Sequence, residues 1–260
     1  MKLRNIFIKI ILGKNLSTEK FVIKYSRFFA GKLHIFLTGR SNFLKLFQKY
    51  NVLESCYIDP TVQIFGWKNV KIGKNSTLSE DVWLNANHVE NDEVRISIGN
   101  NCHIGRRNYF SSATHIKVGD YSFTGIDCHF LGCGHNFFSP MKPYISSGIT
   151  KGEPIVIGVN CWLTTSVTIL QGVNIGYGSI IGARSVVNSN IPPFSVAIGN
   201  PCVVIKRFNF KSNEWIHVSD WTEDYNQFIP SEVEYLESLQ LSHENVPLSL
   251  LASSKIFGWL

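Results

Sequence analysis

The sequence, 260 residues long, lacks an apolar run that could cross a membrane. Its longest run near the start, residues 6–12, is interrupted by Lys9, whereas a spanning helix needs about 20 apolar residues. No small-residue cleavage site follows, because residues 13–15 lead into a charged pattern. We therefore expect neither a spanning helix nor a signal peptide, and a location in the cytoplasm or at the inner face of the membrane.

The sequence also lacks closely spaced cysteines. None of its six cysteines forms a Cys-x-x-Cys pair, so a zinc ribbon is not indicated, and we expect no bound metal. Isolated cysteines spread along a chain are typical of small buried side chains that stay reduced in the cytosol. The six are Cys56, Cys102, Cys128, Cys133, Cys161 and Cys202.

Charged residues make up only 17% of the chain, and the two signs are unevenly spread. Residues 1–50 hold eleven Lys and Arg against one Glu, whereas residues 208–260 hold two Lys against eight acidic residues. A basic, partly amphipathic segment can contact an anionic membrane face or an acidic polysaccharide, or it can pair with the acidic segment of its own or a neighbouring subunit. These alternatives stay open, and no nucleic-acid partner is predicted.

A six-residue repeat dominates the second half of the chain. An aliphatic residue stands at every sixth position, namely Ile157, Leu163, Ile169, Ile175, Ile181 and Val187. Neither the 3.6-residue period of a helix nor the two-residue alternation of a strand produces a period of six. Three short strands with a turn after each produce it, because each strand then places one aliphatic side chain inside a three-sided column. The pattern predicts a parallel β-helix over residues 56–207.

The repeat begins near Ile58 and is interrupted several times. Two-residue offsets at 70/72, 96/98 and 116/118 are interpreted as bulges at corners of the column, and residues 88–95 as a small outward loop. The segment 131–154 holds four glycines and three prolines, which predicts a long loop that leaves the column. Long loops in compact domains are usually functional.

Both flanks are predicted to be helical extensions of the column. Residues 1–55 form the basic extension, and residues 208–260 form the acidic one, with a helix over 232–241. We expect them to cover the ends of the coil stack, because an unpaired coil end invites edge association.

Residues 153–206 read EPIVIGVNCWLTTSVTILQGVNIGYGSIIGARSVVNSNIPPFSVAIGNPCVVIK. The Trp, QGV, GARSVV, IPP and GNP steps here, with Gly134-His135 before them, resemble the carboxyl half of the hexapeptide-repeat acetyltransferases that modify galactosides, maltose, xenobiotics, capsules or O-antigens. The resemblance implies a mainly β fold, a left-handed parallel β-helix. It also implies acetyl transfer from acetyl-CoA to a hydroxyl of a sugar or bacterial surface polysaccharide, by a homotrimer with its sites at subunit clefts.

Transfer from a thioester requires a base for the attacking hydroxyl. In the family this base is the His of the GH step before the extended loop, which implies that role for His135. Asp127, Glu153 or a backbone carbonyl could orient its ring, and the sequence does not choose among them. Trp162 matches the Trp of the family's WIG step and is expected to wall the acetyl and acceptor pocket between two subunits, although Thr164 stands where the family usually has Gly.

The resemblance also implies a CoA slot along the column. By that correspondence Thr165, Gly182 and Ala183 would line the pantetheine arm, and Lys206 and Arg207 would bind the phosphates. Asn108, on an earlier coil, resembles an acceptor-binding Asn once a gap is allowed.

Three other functions stay open at this level. The same fold supports N-acylation of an amino sugar or of a nucleotide-linked amino sugar, and an amine that is already neutral depends less on a strong base. A zinc hydratase resembling the γ-type carbonic anhydrases needs three imidazoles, for which His103, His129 and His135 are available. A scaffold without catalysis would keep the coil and not require His135 or Trp162.

Overall fold

The described residues, 56–87 and 91–244 of a computed structural model, form a three-sided column of parallel β-strands. The chain winds through six coils, and each coil contributes a strand to successive sides of the column. The predicted basic extension, residues 1–55, lies outside the described residues, as do residues 88–90 of the predicted outward loop. The parallel three-sheet architecture over the repeat region confirms the predicted β-helix.

Each side of the column is one sheet. The nine-stranded sheet consists of β1 (Tyr57–Ile58), β4 (Thr77–Leu78), β7 (His103–Ile104), β10 (Phe123–Thr124), β13 (Trp162–Leu163), β16 (Ile180–Ile181), β18 (Ser195–Ile198), β19 (Val203–Asn209) and β20 (Glu214–His217). The six-stranded sheet consists of β2 (Gln63–Phe65), β5 (Trp83–Ala86), β8 (Tyr109–Ser112), β11 (His129–Gly132), β14 (Thr168–Leu170) and β17 (Val186–Val187). The five-stranded sheet consists of β3 (Val70–Ile72), β6 (Ile96–Ile98), β9 (Ile116–Val118), β12 (Ile155–Ile157) and β15 (Asn174–Ile175).

The core of the column is the aliphatic ladder that the repeat predicted. All six residues of the repeat, from Ile157 to Val187, are fully buried. Phe110 and Phe130 fill the same position on neighbouring coils, and their rings stack at 4.0 Å between centroids. Burying each such side chain contributes about 1.5–3 kcal/mol, so the stacked coils hold one continuous core.

The two-residue offsets in the repeat are not bulges, contrary to the sequence interpretation. Val70, Ile96 and Ile116 pair in register across β3, β6 and β9, and so do the residues two positions later. Both ends of each strand are buried. The five-stranded side is therefore built from strands that place two side chains inward, at positions i and i+2, because successive side chains of a strand alternate between its faces.

A polar ladder runs inside one corner of the column, between the five-stranded and nine-stranded sheets. Ser76, Cys102, Ser122, Cys161 and Ser179 occupy equivalent positions on successive coils, and each side chain donates a hydrogen bond to a backbone carbonyl of the next coil. Burial raises the pKa of the Cys102 and Cys161 thiols to about 12, which keeps them protonated. These cysteines therefore act like the serines above and below them, as weak donors in place of hydroxyls.

Ser122 offers a test of this ladder. Its hydroxyl donates to the Gly158 carbonyl at 2.8 Å and accepts from the Cys161 amide at 2.9 Å, within a fully buried site. Ser122→Ala should lower the free energy of unfolding by about 1–3 kcal/mol, because it leaves both buried groups without their partner. Ser122→Cys should cost less, since neighbouring coils carry Cys here. Urea unfolding of both variants measures the difference, and equal losses would contradict the account.

The acidic extension begins as a hairpin and ends in a helix. Strand β19 pairs antiparallel with β18 and β20, which continues the nine-stranded sheet beyond the last coil. Helix α1 (Glu232–Ser242) starts with a capping box formed by Ser231 and Glu234, and it confirms the helix predicted there. Glu232 accepts a hydrogen bond from the Val159 amide at 2.9 Å, and the Tyr235 hydroxyl bonds Asn160. The helix thus lies along an edge of the column.

Candidate active site

The long loop leaves the column at one corner, between the six-stranded and five-stranded sheets, which we call the loop corner. Strand β11 ends at Gly132, and the chain rejoins the column at Ile155. Near the column the two arms of the loop pair with each other, because His135 forms an antiparallel bridge with Ile149. The Thr150 amide donates to the Gly134 carbonyl at 2.7 Å. His135 is therefore held at the base of the loop, where the two hydrogen-bonded arms leave the column.

The position of the loop base depends on Gly152. Its φ is +61°, and a methyl group there would overlap the Gly132 carbonyl oxygen and lie 3.1 Å from Gln171 Oε1. The Thr114 hydroxyl donates to the Gly152 carbonyl at 2.9 Å and ties this arm to the neighbouring coil. The returning arm can therefore approach the end of β11 only where a side chain is absent.

Gly152→Ala should displace the loop and with it His135. Gly148 is a matched control, because it has a similar φ of +74° but open space around it, with the nearest atom 3.9 Å from an added methyl. Gly148→Ala should lower the free energy of unfolding only by the strain of a left-handed backbone, about 1–2 kcal/mol. Limited proteolysis should cut 133–154 faster in Gly152→Ala than in Gly148→Ala. Similar cleavage in the two variants would show that the close approach does not fix the loop.

The His135 side chain is exposed, and among the described residues none makes a hydrogen bond to its ring. Asp127, one of the predicted orienting groups, is already engaged by Arg107 through two hydrogen bonds of 2.8 Å. The Arg107 guanidinium lowers the pKa of Asp127, so this carboxylate stays charged and paired. Glu153 lies against Gly172 on the next coil and is exposed. Of the two carboxylates, Glu153 is the one not held by a basic side chain in the described residues.

A polar cluster that the sequence reasoning missed lies just before His135. Cys133 Sγ is 3.0 Å from Ser111 Oγ and 3.2 Å from Asn87 Nδ2, and Asn85 bonds Asn87 in turn. These residues come from three consecutive coils and meet at the loop corner. The available signal was the pair of amides in Asn85-Ala86-Asn87, because the positions in register with Asn85 on the next three coils carry Ser111, Leu131 and Leu170.

Trp162 lies on β13 in the nine-stranded sheet. Trp162 is 43% exposed, and its ring stacks on Phe123 of the preceding coil, with centroids 5.5 Å apart and planes at 14°. Thr165 follows at the next corner, and Gly182 and Ala183 occupy the same corner one coil further on. The structure thus places Trp162 and the three residues predicted to line the pantetheine arm on adjoining surface.

The two basic residues predicted to bind phosphates are placed differently. Lys206 is exposed on β19. Arg207 is 8% exposed, its guanidinium lies 3.8 Å from the centre of the Trp221 ring, and one of its nitrogens is 3.4 Å from Asn226 Oδ1. Burial lowers the pKa of Arg207, although Glu223 opposes this. We therefore correct the prediction for Arg207: its charge is buried against an aromatic ring and is not presented to a ligand.

The prediction for Asn108 is also corrected. Its side chain is fully buried, and its amide nitrogen donates to the Gly125 carbonyl of the next coil at 2.8 Å. Asn108 lies two residues before Phe110, at the position that Cys128 and Ser185 occupy on other coils. It therefore joins the coils from inside the column and cannot contact an acceptor sugar.

The topology separates the two predicted catalytic residues. His135 leaves the column at the loop corner, whereas Trp162 projects from the nine-stranded sheet, which is the side opposite that corner. A three-sided column cannot bring an edge and the opposite face together. Within one subunit His135 and Trp162 therefore lie on different sides of the molecule.

The imidazoles of the hydratase hypothesis are likewise dispersed. His103 projects from the nine-stranded sheet and His129 from the six-stranded sheet. Within 56–87 and 91–244 no group of three His, Cys, Asp or Glu side chains is arranged to hold a metal ion. In the same ranges no helix is long and apolar enough to cross a bilayer. A cavity of about 390 Å³ between the five-stranded sheet and Glu232 contains none of the predicted site residues.

A three-sided parallel column with a six-residue repeat and a long loop on its fourth coil defines a hexapeptide-repeat protein. The chain is 33% identical over 147 residues to the galactoside O-acetyltransferase of Escherichia coli K12, covering 54% of this chain and 68% of that protein. The chain belongs to the hexapeptide-repeat acetyltransferases, as the sequence motifs predicted. No protein-family model matches it.

Two further comparisons are consistent with this assignment. A protein of Staphylococcus aureus strain COL, provisionally named an acetyltransferase, is 40% identical over 111 residues, which cover 36% of this chain and 56% of that protein. The chain thus spans little more than half of such relatives. A crystal structure of AntD, an N-acyltransferase from Bacillus cereus, superposes with a TM-score of 0.53 at 16% identity, covering 76% of this chain and 96% of AntD. The AntD likeness concerns the fold alone.

Proposed function

We propose that the protein transfers an acetyl group from acetyl-CoA to a hydroxyl of a sugar or bacterial surface polysaccharide. The observation that carries the proposal is His135, an exposed imidazole held at the base of the loop in a chain 33% identical to a galactoside O-acetyltransferase. Acetyl-CoA would supply the acetyl group as a thioester. Thr165, Gly182, Ala183 and Lys206 form the surface proposed to bind it. The coils are proposed to wind left-handed, as in the family.

In this mechanism His135 moves one proton. A ring nitrogen of the neutral imidazole accepts the proton of the acceptor hydroxyl as its oxygen attacks the acetyl carbonyl carbon. The carbon–sulfur bond then breaks, and the imidazolium returns the proton to the departing sulfur, so that the products are the acetyl ester and free CoA thiol. Because His135 is exposed, the acceptor hydroxyl and the departing sulfur can both reach its ring. Glu153 is the carboxylate we propose to orient it.

We further propose that the active site is shared between subunits of a homotrimer. His135 and Trp162 lie on opposite sides of one subunit, so they can line one site only if they come from different copies. The loop tip also exposes apolar side chains, with Phe138 86%, Met141 89% and Ile145 88% accessible. Apolar surface of this kind is expected to be covered by a partner, and closed cyclic assembly provides one.

An acetyl-CoA turnover assay tests the proposed activity. Thiol release is measured with the full chain on free sugars, nucleotide-linked sugars, amino sugars and neutral or acidic polysaccharides. Release that requires a hydroxyl acceptor supports O-acetylation, whereas release only with amino sugars supports the N-acylation alternative. No release with any acceptor would contradict the proposal and favour the scaffold. The cytoplasmic location, and contact of residues 1–50 with a membrane or an acidic glycan, stay predictions.

A further inference from the structure

The outward face of the six-stranded sheet carries a row of aromatic side chains that ends beside the candidate active site. Trp83, Tyr109 and His129 lie directly opposite one another on β5, β8 and β11. The Trp83 and Tyr109 rings are 5.0 Å apart, and the Tyr109 and His129 rings 6.5 Å apart. Trp83 is 45% exposed, and His129 is also exposed. We call these three side chains the aromatic row.

A second, polar row runs beside the first, two residues further along the same strands. It contains Asn85 and Ser111, which lie opposite each other and lead to Asn87 and Cys133 at the loop corner. The chain reaches His135 two residues after Cys133. On one side of the column, the aromatic row and the polar row therefore lead to the loop corner from which the chain continues to the proposed base.

No outward side chain of the described strands on this face is Asp, Glu, Lys or Arg. The outward side chains of its described strands are aromatic, aliphatic, hydroxyl or amide groups: Gln63, Phe65, Trp83, Asn85, Tyr109, Ser111, His129, Leu131, Thr168, Leu170 and Val186. Aromatic rings with polar edges suit ligands that have both an apolar and a polar side. A sugar ring is such a ligand, because its C–H faces stack on aromatic rings while its hydroxyls bond to amides.

The aromatic row lies on the amino-terminal side of His135, on the second, third and fourth coils, whereas Thr165, Gly182 and Ala183 lie on the fifth and sixth. Neighbouring strands are about 4.8 Å apart, so the row is about 10 Å long. This length exceeds a single sugar ring. The surface proposed to bind acetyl-CoA thus lies on the carboxyl-terminal coils, and the earlier coils are available to bind the acceptor.

We propose that the aromatic row is a binding platform for a saccharide chain, along which an acceptor of several sugar rings is held while one hydroxyl reaches His135. Trp83 and Tyr109 stack on the sugar rings, and Asn85 and Asn87 bond their hydroxyls. The inference deepens the proposed function and names its acceptor as an oligosaccharide or polysaccharide chain, uncharged where it contacts the row. None of these residues takes part in proton transfer.

Binding without acetyl-CoA tests the platform separately from catalysis. The full chain is applied to an array of neutral oligosaccharides, each present as a disaccharide and a hexasaccharide. We expect at least one glycan to be bound, and its hexasaccharide to be bound more tightly than its disaccharide. Trp83→Ala and Tyr109→Ala should each weaken this binding about tenfold, as loss of one aromatic contact predicts, whereas Tyr109→Phe should retain it.

Tyr57→Ala is the matched control, because Tyr57 is also 45% exposed but projects from the nine-stranded sheet. It should bind the hexasaccharide like the unaltered protein. Binding to no glycan, binding independent of chain length, or full binding by Trp83→Ala and Tyr109→Ala would overturn the proposal. So would loss of assembly by these two variants in light scattering, which would identify the face as a contact between subunits. Thiol release that fails while binding succeeds would refute the proposed function and leave the platform standing.

Discussion

His135→Ala should reduce acceptor-dependent thiol release at least about a hundredfold, within the range expected for removal of a general base. The loss should appear in kcat, because the ring acts on the proton of the bound acceptor and not on the affinity for acetyl-CoA. The arms of the loop pair through backbone groups, so the substitution should leave the loop in place. Thermal unfolding of the variant should therefore match that of the unaltered protein.

His243→Ala is the control for this experiment. His243 follows helix α1, and among the described residues its ring makes a hydrogen bond only with the neighbouring Ser242 hydroxyl. Its replacement should leave turnover unchanged. If His135→Ala and His243→Ala proceed at the same rate with a hydroxyl acceptor, His135 is not the base. A clearly smaller loss with an amino sugar than with a hydroxyl acceptor would favour N-acylation, since a neutral amine requires less help in losing its proton.

Mixing two weakly active variants should restore activity. His135→Ala and Trp162→Ala are each expected to be weakly active alone, because every site of either assembly lacks one residue. When subunits of the two variants exchange at random in a trimer, about a quarter of the sites should combine an intact His135 with an intact Trp162. The expected result is turnover near a quarter of that of the unaltered protein after the mixed subunits are unfolded and refolded together.

The control is the same mixture without subunit exchange, which should remain as inactive as its components. A second control mixes His135→Ala with itself at the same total concentration. No recovery after exchange would mean that both residues act within one subunit, which the opposite placement of the loop corner and β13 argues against. If Trp162→Ala alone is fully active, Trp162 contributes little to turnover.

The sequence predicted the column well because its repeat has a direct physical cause. Each sixth residue must be apolar to enter a three-sided core, so positions such as Ile169 and Ile175 could be assigned inward before the structure was known. The same register indicates that Asn108 is buried, because it lies two residues before the inward Phe110. Cys128 and Ser185, at the same position on other coils, are buried too. The acceptor-binding role of Asn108 rested on family resemblance alone, and its position in the register argues against that role.

Other features depend on contacts between coils that no single stretch of sequence displays. Arg207 is buried because β19 alternates its faces and Trp221, fourteen residues later, returns to stack on it. Asn87, Ser111 and Cys133 meet only after three coils are superimposed. The cysteines were predicted to be small and apolar, whereas Cys102 and Cys161 replace serine in a ladder of hydrogen bonds. Such roles depend on which residues of successive coils lie next to each other, and each insertion changes that alignment.

A crystal structure of the full chain with CoA tests the central claim most directly, namely that one acetyl-transfer site is assembled from two three-sided columns. We predict a trimer in which the CoA sulfur lies between His135 of one subunit and the β13 face, with Trp162, of its neighbour. The pantetheine arm should run past Thr165 and Ala183, away from the aromatic row. A monomer with CoA bound, or a CoA sulfur remote from every His135, would contradict the account.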